Sequence, residues 1–106
     1  VTKSFLPTII FDEIDTGVSG EIAHRMGEIM RVMSKTMQVI SITHLPQIAA
    51  KGNAHYKVYK TDSELATHTH IVRLKEDERI QEIAELLSGK NPTQAALDNA
   101  KELLAL

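Results

Sequence analysis

The chain has 106 residues, of which 42% are hydrophobic and 25% are charged, so it is long enough for one folded domain and too short for two. Its 12 basic and 14 acidic residues give a formal charge of -2, which excludes a protein drawn to a polyanion by its overall charge. It has no cysteine for disulfides or thiolate zinc sites, and no apolar run long enough to span a membrane.

A buried strand is the first predicted element. Residues 8–12 begin with "TIIF", whose apolar side chains are consecutive instead of alternating. That pattern is typical of a strand covered on both faces, as in a parallel sheet. The strand ends in two adjacent carboxylates, Asp12 and Glu13.

A helix and a second strand are predicted next. Ser19 can cap a helix that runs to about Lys35, with one apolar stripe facing the core. The members of this stripe are Ile22, Met26, Ile29, Met30 and Met33. A β-branched run over residues 37–43 predicts a second strand that ends at His44. A strand, helix and strand of this length form a βαβ unit with parallel strands.

The middle of the chain is predicted to form a short helix over residues 46–50 and a β-hairpin over residues 54–61 and 66–75. His68 and His70 lie on one face of a strand, and with His55 across the hairpin they could bind a transition metal. A solvent-facing role is favoured, because no carboxylate or cysteine completes the set.

The hairpin region is also locally basic, because it contains or adjoins Lys51, Lys57, Lys60, Arg73 and Lys75. A DNA-facing patch is one interpretation. A solvated charged hairpin is favoured, since no aromatic interleaving or recognised DNA-binding motif accompanies these residues.

Two helices are predicted to close the chain. The first covers residues 76–87 and ends at Gly89 in a left-handed cap. The second takes Asn91 as its cap, Pro92 as its first residue and Gln94 as the reciprocal capping partner. The predicted fold class is therefore α/β, with parallel strands, a crossover helix, a β-hairpin and two C-terminal helices.

Polar residues at two strand ends suggest a catalytic site. Parallel pairing would bring Asp12, Glu13 and His44 to the same carboxyl edge of the sheet, where open α/β sheets bind ligands. Asp12 would hold Mg²⁺, directly or through water, and Glu13 would orient or deprotonate an attacking water. His44 would donate a hydrogen bond to a terminal phosphate oxygen. This pattern predicts hydrolysis of a phosphoanhydride.

Other interpretations of the acidic strand end remain open. The carboxylates could cap the next helix or face solvent, and the chain could be a non-catalytic interaction module whose acidic edge binds a partner or a structural ion. A phosphoacceptor receiver domain is disfavoured, because the sequence predicts only one βαβ unit.

Three segments resemble motifs of SMC-type ATP-binding-cassette ATPases, in particular the carboxyl-terminal part of the head in bacterial DNA repair members. "TIIFDE" resembles a Walker B strand with its catalytic glutamate, "IDTGVSG" the loop that follows, and "SITHLPQIAA" the switch-histidine loop. The resemblance implies a P-loop NTPase head lobe in which Asp12 binds Mg²⁺, Glu13 activates water and His44 contacts the γ-phosphate. It also implies a dimer-contact loop containing Asp15, Gly17, Ser19 and Gly20.

The same resemblance implies that the full-length protein uses ATP and Mg²⁺ and forms a homodimer through its heads. It also implies that this protein acts on DNA in double-strand break repair and recombination, and that it is cytoplasmic with no membrane partner. The chain departs from the family in containing neither a "GxxxxGK[ST]" motif nor the Ser- and Gly-rich signature. We therefore expect part of one head from a longer protein, inactive alone, with an exposed apolar face or a tendency to self-associate.

Overall fold

The computed structural model describes residues 7–13 and 17–105. Its elements are β1 (Thr8–Asp12), α1 (Gly20–Met33), β2 (Gln38–Ile42), α2 (Pro46–Ala49), β3 (Tyr56–Asp62), β4 (Thr67–Arg73), α3 (Glu76–Ser88) and α4 (Gln94–Leu103). β1 pairs with β2 in parallel, and β3 pairs with β4 in antiparallel. The predicted α/β class, the crossover helix, the hairpin and the two closing helices are confirmed.

The parallel pair is covered on one face only. On that face Phe11 and Val39 pack against a cluster that contains the buried residues Met30 and Ile48. On the opposite face Ile10 is 61% exposed and its partner in the ladder is also exposed. The predicted burial of β1 on both faces is therefore wrong within the described chain, whereas the expected exposed apolar face is present.

The buried side of α1 differs from the predicted stripe. Ala23, Gly27 and Met30 are buried, whereas Ile22 and Ile29 are 51% and 60% exposed. The reason is the close approach of α2: a Cβ added at Gly27 would lie 3.1 Å from a backbone oxygen of that helix. Packing backbone against backbone turns the small residues of α1 inward and leaves part of its apolar stripe uncovered.

The closing helices form a second core, in which Ile83, Ala84 and Ala100 are fully buried. α4 begins later than predicted, because the Thr93 hydroxyl accepts a hydrogen bond from the Ala96 N–H at 3.1 Å and caps the helix. The predictions of Asn91 as the cap and Pro92 as the first helical residue are therefore wrong.

Gly89 ends α3 at the predicted position but in another conformation. Its φ of 88° and ψ of -176° lie outside the left-handed helical region, so the predicted left-handed cap is wrong. These angles are essentially restricted to glycine, and they let the chain leave α3 in an extended path.

The hairpin formed by β3 and β4 is exposed along nearly its whole length. The radius of gyration is 15.6 Å, larger than the roughly 13 Å typical of a compact domain of about 100 residues. The chain therefore buries little of the hairpin against its own helices.

The uncovered face of the parallel pair makes self-association the expected behaviour of the chain on its own. We expect Ile10→Lys to lower the apparent mass at high concentration, because it places a charge in the middle of that face. Light scattering over a concentration series measures the mass. Leu65→Lys, which replaces a 96% exposed residue at the hairpin tip, is the matched control and should have no effect. A wild-type chain that stays monomeric would contradict the prediction.

His55 is half-buried beside α3, and burial, followed by the nearby Arg79 guanidinium, lowers the pKa of its imidazole. An unfolded histidine titrates near pH 6.5, so below that pH the unfolded state binds the proton more readily than the folded state. The free energy of unfolding should therefore fall as the pH decreases through about 6.5. Above that range both states are neutral at His55 and its contribution to the pH dependence disappears.

Urea unfolding at several pH values between about 8 and 5 measures this dependence. In the variant His55→Gln, the free energy of unfolding should decrease less at low pH than in the wild type. In His68→Gln, on the exposed hairpin, it should depend on pH as in the wild type. Equal pH dependence in the wild type and in His55→Gln would show that His55 does not contribute.

Candidate functional site

The site residues lie at the carboxyl edge of the parallel pair. Asp12 is the last residue of β1 and lies opposite Ile42, the last residue of β2. The ladder continues one step further, because the Glu13 N–H donates a hydrogen bond to the Ile42 carbonyl at 2.8 Å. The backbone of Glu13 is therefore fixed to the neighbouring strand.

Glu13 has a left-handed backbone conformation, with φ of 51°. Non-glycine residues seldom adopt this region, and doing so costs about 1–2 kcal/mol. The chain changes direction immediately after β1, so the side chain of Glu13 does not follow the alternation of the strand. Strain of this kind is concentrated at functional sites, and it was not predictable from the residue type.

The same turn brings Glu13 to the end of the second strand. Its carboxylate Oε1 lies 3.0 Å from Nε2 of His44. The side chains remain 47% exposed for Glu13 and 70% exposed for His44, so both are accessible to water and to a ligand. Two groups separated by thirty residues of sequence are thus in direct contact.

His44 is held in the short connection between β2 and α2. The Thr43 hydroxyl accepts a hydrogen bond from the Leu45 N–H at 3.0 Å, a local turn that Ser and Thr commonly form. Pro46 then starts α2. Thr43 therefore orders the turn that carries His44, a contact that the sequence reasoning missed, although a threonine three residues before the start of a helix was an available signal.

Asp12 is exposed at the strand end. Among the described residues there is no group of three or more His, Cys, Asp or Glu side chains that could hold a metal ion. A single carboxylate of this kind still fits Mg²⁺, which binds proteins through one or two carboxylates and keeps water or phosphate oxygens as its other ligands.

The loop before α1 is described only in part, and Asp15 lies outside the described residues. Gly17 has a φ of 82°, which favours glycine. The Ser19 hydroxyl accepts a hydrogen bond from the Ile22 N–H at 3.3 Å and caps α1. Gly20 lies where an added Cβ would be 3.3 Å from the Gln47 side chain, so this loop also packs beside α2.

The three hairpin histidines do not form a metal site in the described structure. His70 stacks on Tyr59 with ring centroids 5.0 Å apart, and its Nε2 lies 2.8 Å from the Thr61 hydroxyl. His55 lies at the start of β3, half-buried near Arg79. The contacts of His70 lie within the hairpin, whereas His55 is half-buried and does not lie on the predicted solvent face.

In the parts of the chain that the structure covers, none of the helices combines the length and the apolar character needed to cross a membrane.

Comparison with known proteins gives one consistent group of relatives, although no family model matches the chain. It is 48% identical over 104 residues to the DNA repair protein RecN of Rickettsia conorii, a match that covers 98% of this chain and 19% of the relative. The RecN protein of Haemophilus influenzae is 41% identical with the same coverage of both chains. The RecN protein of Deinococcus radiodurans is 46% identical over 99 residues, or 93% of this chain and 17% of the relative.

A solved structure from work on the ATP-driven dimerization and DNA-stimulated activation of SMC ATPases has the same fold. It superposes with a TM-score of 0.61 over 77% of this chain and 48% of that chain, at 20% identity. The chain itself spans about a fifth of the length of the curated relatives that it matches. It is homologous to one segment of the RecN DNA repair proteins and has the α/β fold of an SMC ATPase.

Proposed function

We propose that this chain supplies the hydrolytic residues of an ATPase head in a RecN-type protein that acts in DNA double-strand break repair and recombination. The observation that carries the proposal is the 3.0 Å contact between Glu13 and His44 at the ends of adjacent parallel strands. A carboxylate base and an imidazole donor at one accessible edge can serve two of the roles in phosphoanhydride hydrolysis, activation of water and stabilisation of phosphate charge.

Glu13 is proposed as the general base. Its carboxylate accepts a proton from water as the water oxygen attacks the γ-phosphorus of ATP and the bond to the leaving ADP oxygen breaks. The hydrogen bond from the Glu13 N–H to the Ile42 carbonyl fixes the position of the base, which limits the reorganisation needed during the reaction.

His44 is proposed to donate a hydrogen bond to a γ-phosphate oxygen. In the described structure its Nε2 is within hydrogen-bond distance of the Glu13 carboxylate, so the imidazole lies next to the proposed general base. Because 70% of its side chain is exposed, the imidazole is accessible to a ligand. The contact supports the proposal that a phosphate donor and a base act at the same edge.

Asp12 is proposed to hold Mg²⁺, directly or through water. When bound, Mg²⁺ would offset negative charge on the β- and γ-phosphate oxygens. Exposure of Asp12 at the strand end is the feature that supports this role.

The loop that contains Asp15, Gly17, Ser19 and Gly20 is proposed to contact a second head, which makes the functional unit a homodimer. ATP and DNA are the proposed ligands of the longer protein, and the cytoplasm is its proposed location. The SMC-type fold and the RecN relatives support these assignments.

The first test uses the longer protein with Glu13→Gln. This change keeps the size of the side chain and removes the base, so we expect kcat for ATP hydrolysis to fall by about 10²- to 10⁴-fold while ATP still binds. Steady-state turnover and equilibrium nucleotide binding measure the two effects. Glu102→Gln, on an exposed part of α4, is the carboxylate control. Wild-type turnover in Glu13→Gln would exclude Glu13 as the base.

The second test uses the 106-residue chain alone. It contains no "GxxxxGK[ST]" motif, whose backbone and lysine bind the β- and γ-phosphates in P-loop proteins. We therefore expect no measurable ATP hydrolysis and only very weak binding. Isothermal titration with ATP and Mg²⁺ measures the affinity, and a micromolar or tighter site would contradict this expectation.

A further inference from the structure

A groove separates the hairpin from α3, on the side of the molecule that the proposed ATPase site does not use. One wall is the hairpin face that carries Tyr59 and Val72, which the antiparallel register places on the same side of the two strands. Leu74 continues this apolar surface toward α3. The groove has a volume of about 630 Å³, which is in the range of sites that bind ligands or short peptide segments.

The apolar wall is exposed to solvent, and one of its side chains is held by a ring contact. Tyr59 and Val72 are each 42% exposed, although they line the groove between the hairpin and α3. Stacking on His70, with ring centroids 5.0 Å apart and planes inclined by 20°, holds the ring of Tyr59. This surface can therefore receive apolar side chains, and the aromatic ring can contact a cation.

The opposite wall is acidic. α3 lines the groove with four carboxylates at helical spacing: Asp77, Glu78, Glu82 and Glu85. Lys57 is the cation on the facing strand, and it forms an ion pair with Glu82 at 2.8 Å. The wall therefore keeps an excess of negative charge after that ion pair is counted.

The remaining three carboxylates have no cationic partner within the described residues. Glu78 accepts a hydrogen bond from the Lys75 backbone N–H at 2.8 Å, and Glu85 accepts one from the Gln81 amide at 3.1 Å. Both donors are neutral, so neither hydrogen bond supplies a positive charge to the acidic wall. Among the described residues, the Asp77 carboxylate takes part in no ion pair or side-chain hydrogen bond.

The behaviour of Lys57 is consistent with a negative potential in the groove. The hydrogen bond with Glu82 raises the pKa of Lys57, and the nearby charges of Glu82 and Glu85 raise it further. Such a potential attracts cations and repels the phosphates of DNA.

We propose that the groove between the hairpin and α3 is a docking site for a basic, amphipathic protein segment. Apolar side chains of the segment pack on Tyr59, Val72 and Leu74, while its Lys or Arg side chains pair with Asp77 and Glu85. Charge complementarity with the acidic wall selects a basic segment, and the apolar wall requires that one side of this segment be hydrophobic. This interaction surface is separate from the strand ends that carry the proposed ATPase chemistry.

The test uses a fluorescein-labelled helical peptide of Lys and Leu residues, about four turns long, with the apolar residues on one side. Fluorescence anisotropy measures its binding to the 106-residue protein. The double variant Asp77→Asn and Glu85→Gln removes two charges without changing side-chain size, and it spares the ion pair of Lys57. We expect its dissociation constant to be about tenfold higher than that of the wild type.

The matched control is the double variant Glu64→Gln and Glu102→Gln, which removes the same number of charges from exposed positions outside the groove. It should bind the peptide like the wild type. Circular dichroism checks that both variants keep their helices. Equal weakening by the two double variants would show a nonspecific effect of net charge and would overturn the proposal.

Two further measurements address the position and the chemistry of binding. Amide chemical-shift changes on adding the peptide should be concentrated in residues 57–59, 72–74 and 77–85, and changes confined to other surfaces would overturn the proposal. A peptide of the same length and charge with Gly in place of Leu should bind at least tenfold more weakly. Equal binding of the two peptides would show that the apolar wall contributes nothing.

Discussion

The parallel, in-register pairing of β1 with β2 is the constraint on which the site depends. Asp12 pairs with Ile42 at the end of the ladder, and the Glu13 N–H extends the ladder by one hydrogen bond. Since the strands are parallel, their carboxyl ends coincide, and groups far apart in sequence become neighbours. The contact between Glu13 and His44 follows from this arrangement, with the turn at Glu13 giving the final direction of the carboxylate.

The elements could be predicted because their signals are local. Consecutive apolar residues before Asp12, the helix cap at Ser19 and the β-branched run before His44 together indicate a βαβ unit, and the carboxyl edge follows from the topology. The left-handed φ of Glu13 could not be predicted in this way, because it depends on a hydrogen bond to the other strand. The contact of its side chain with His44 therefore could not be predicted from the spacing of apolar residues in the sequence.

Two of the errors in the prediction concern the packing of α1 and the start of α4. Gly27 admits the backbone of α2 so closely that α1 buries its small residues and exposes Ile22 and Ile29. Asn91 and Thr93 are both competent helix caps, but Asn91 has a left-handed φ of 57°, whereas Thr93 has the extended conformation of a cap. Local patterns thus identified each helix and strand. They did not determine which side of α1 is buried or the residue at which α4 begins.

The backbone of Glu13 opposes protein stability to the proposed catalytic role of its side chain at a single position. Glycine adopts a φ near 51° without the steric cost that a Cβ imposes, so the conformation itself favours a residue that has no carboxylate. Variants selected only for greater stability would tend to accept glycine there, and each such variant would lack the proposed base. A strained glutamate at the strand end is therefore a trade-off in which some folding free energy is given up to keep an acidic group beside His44.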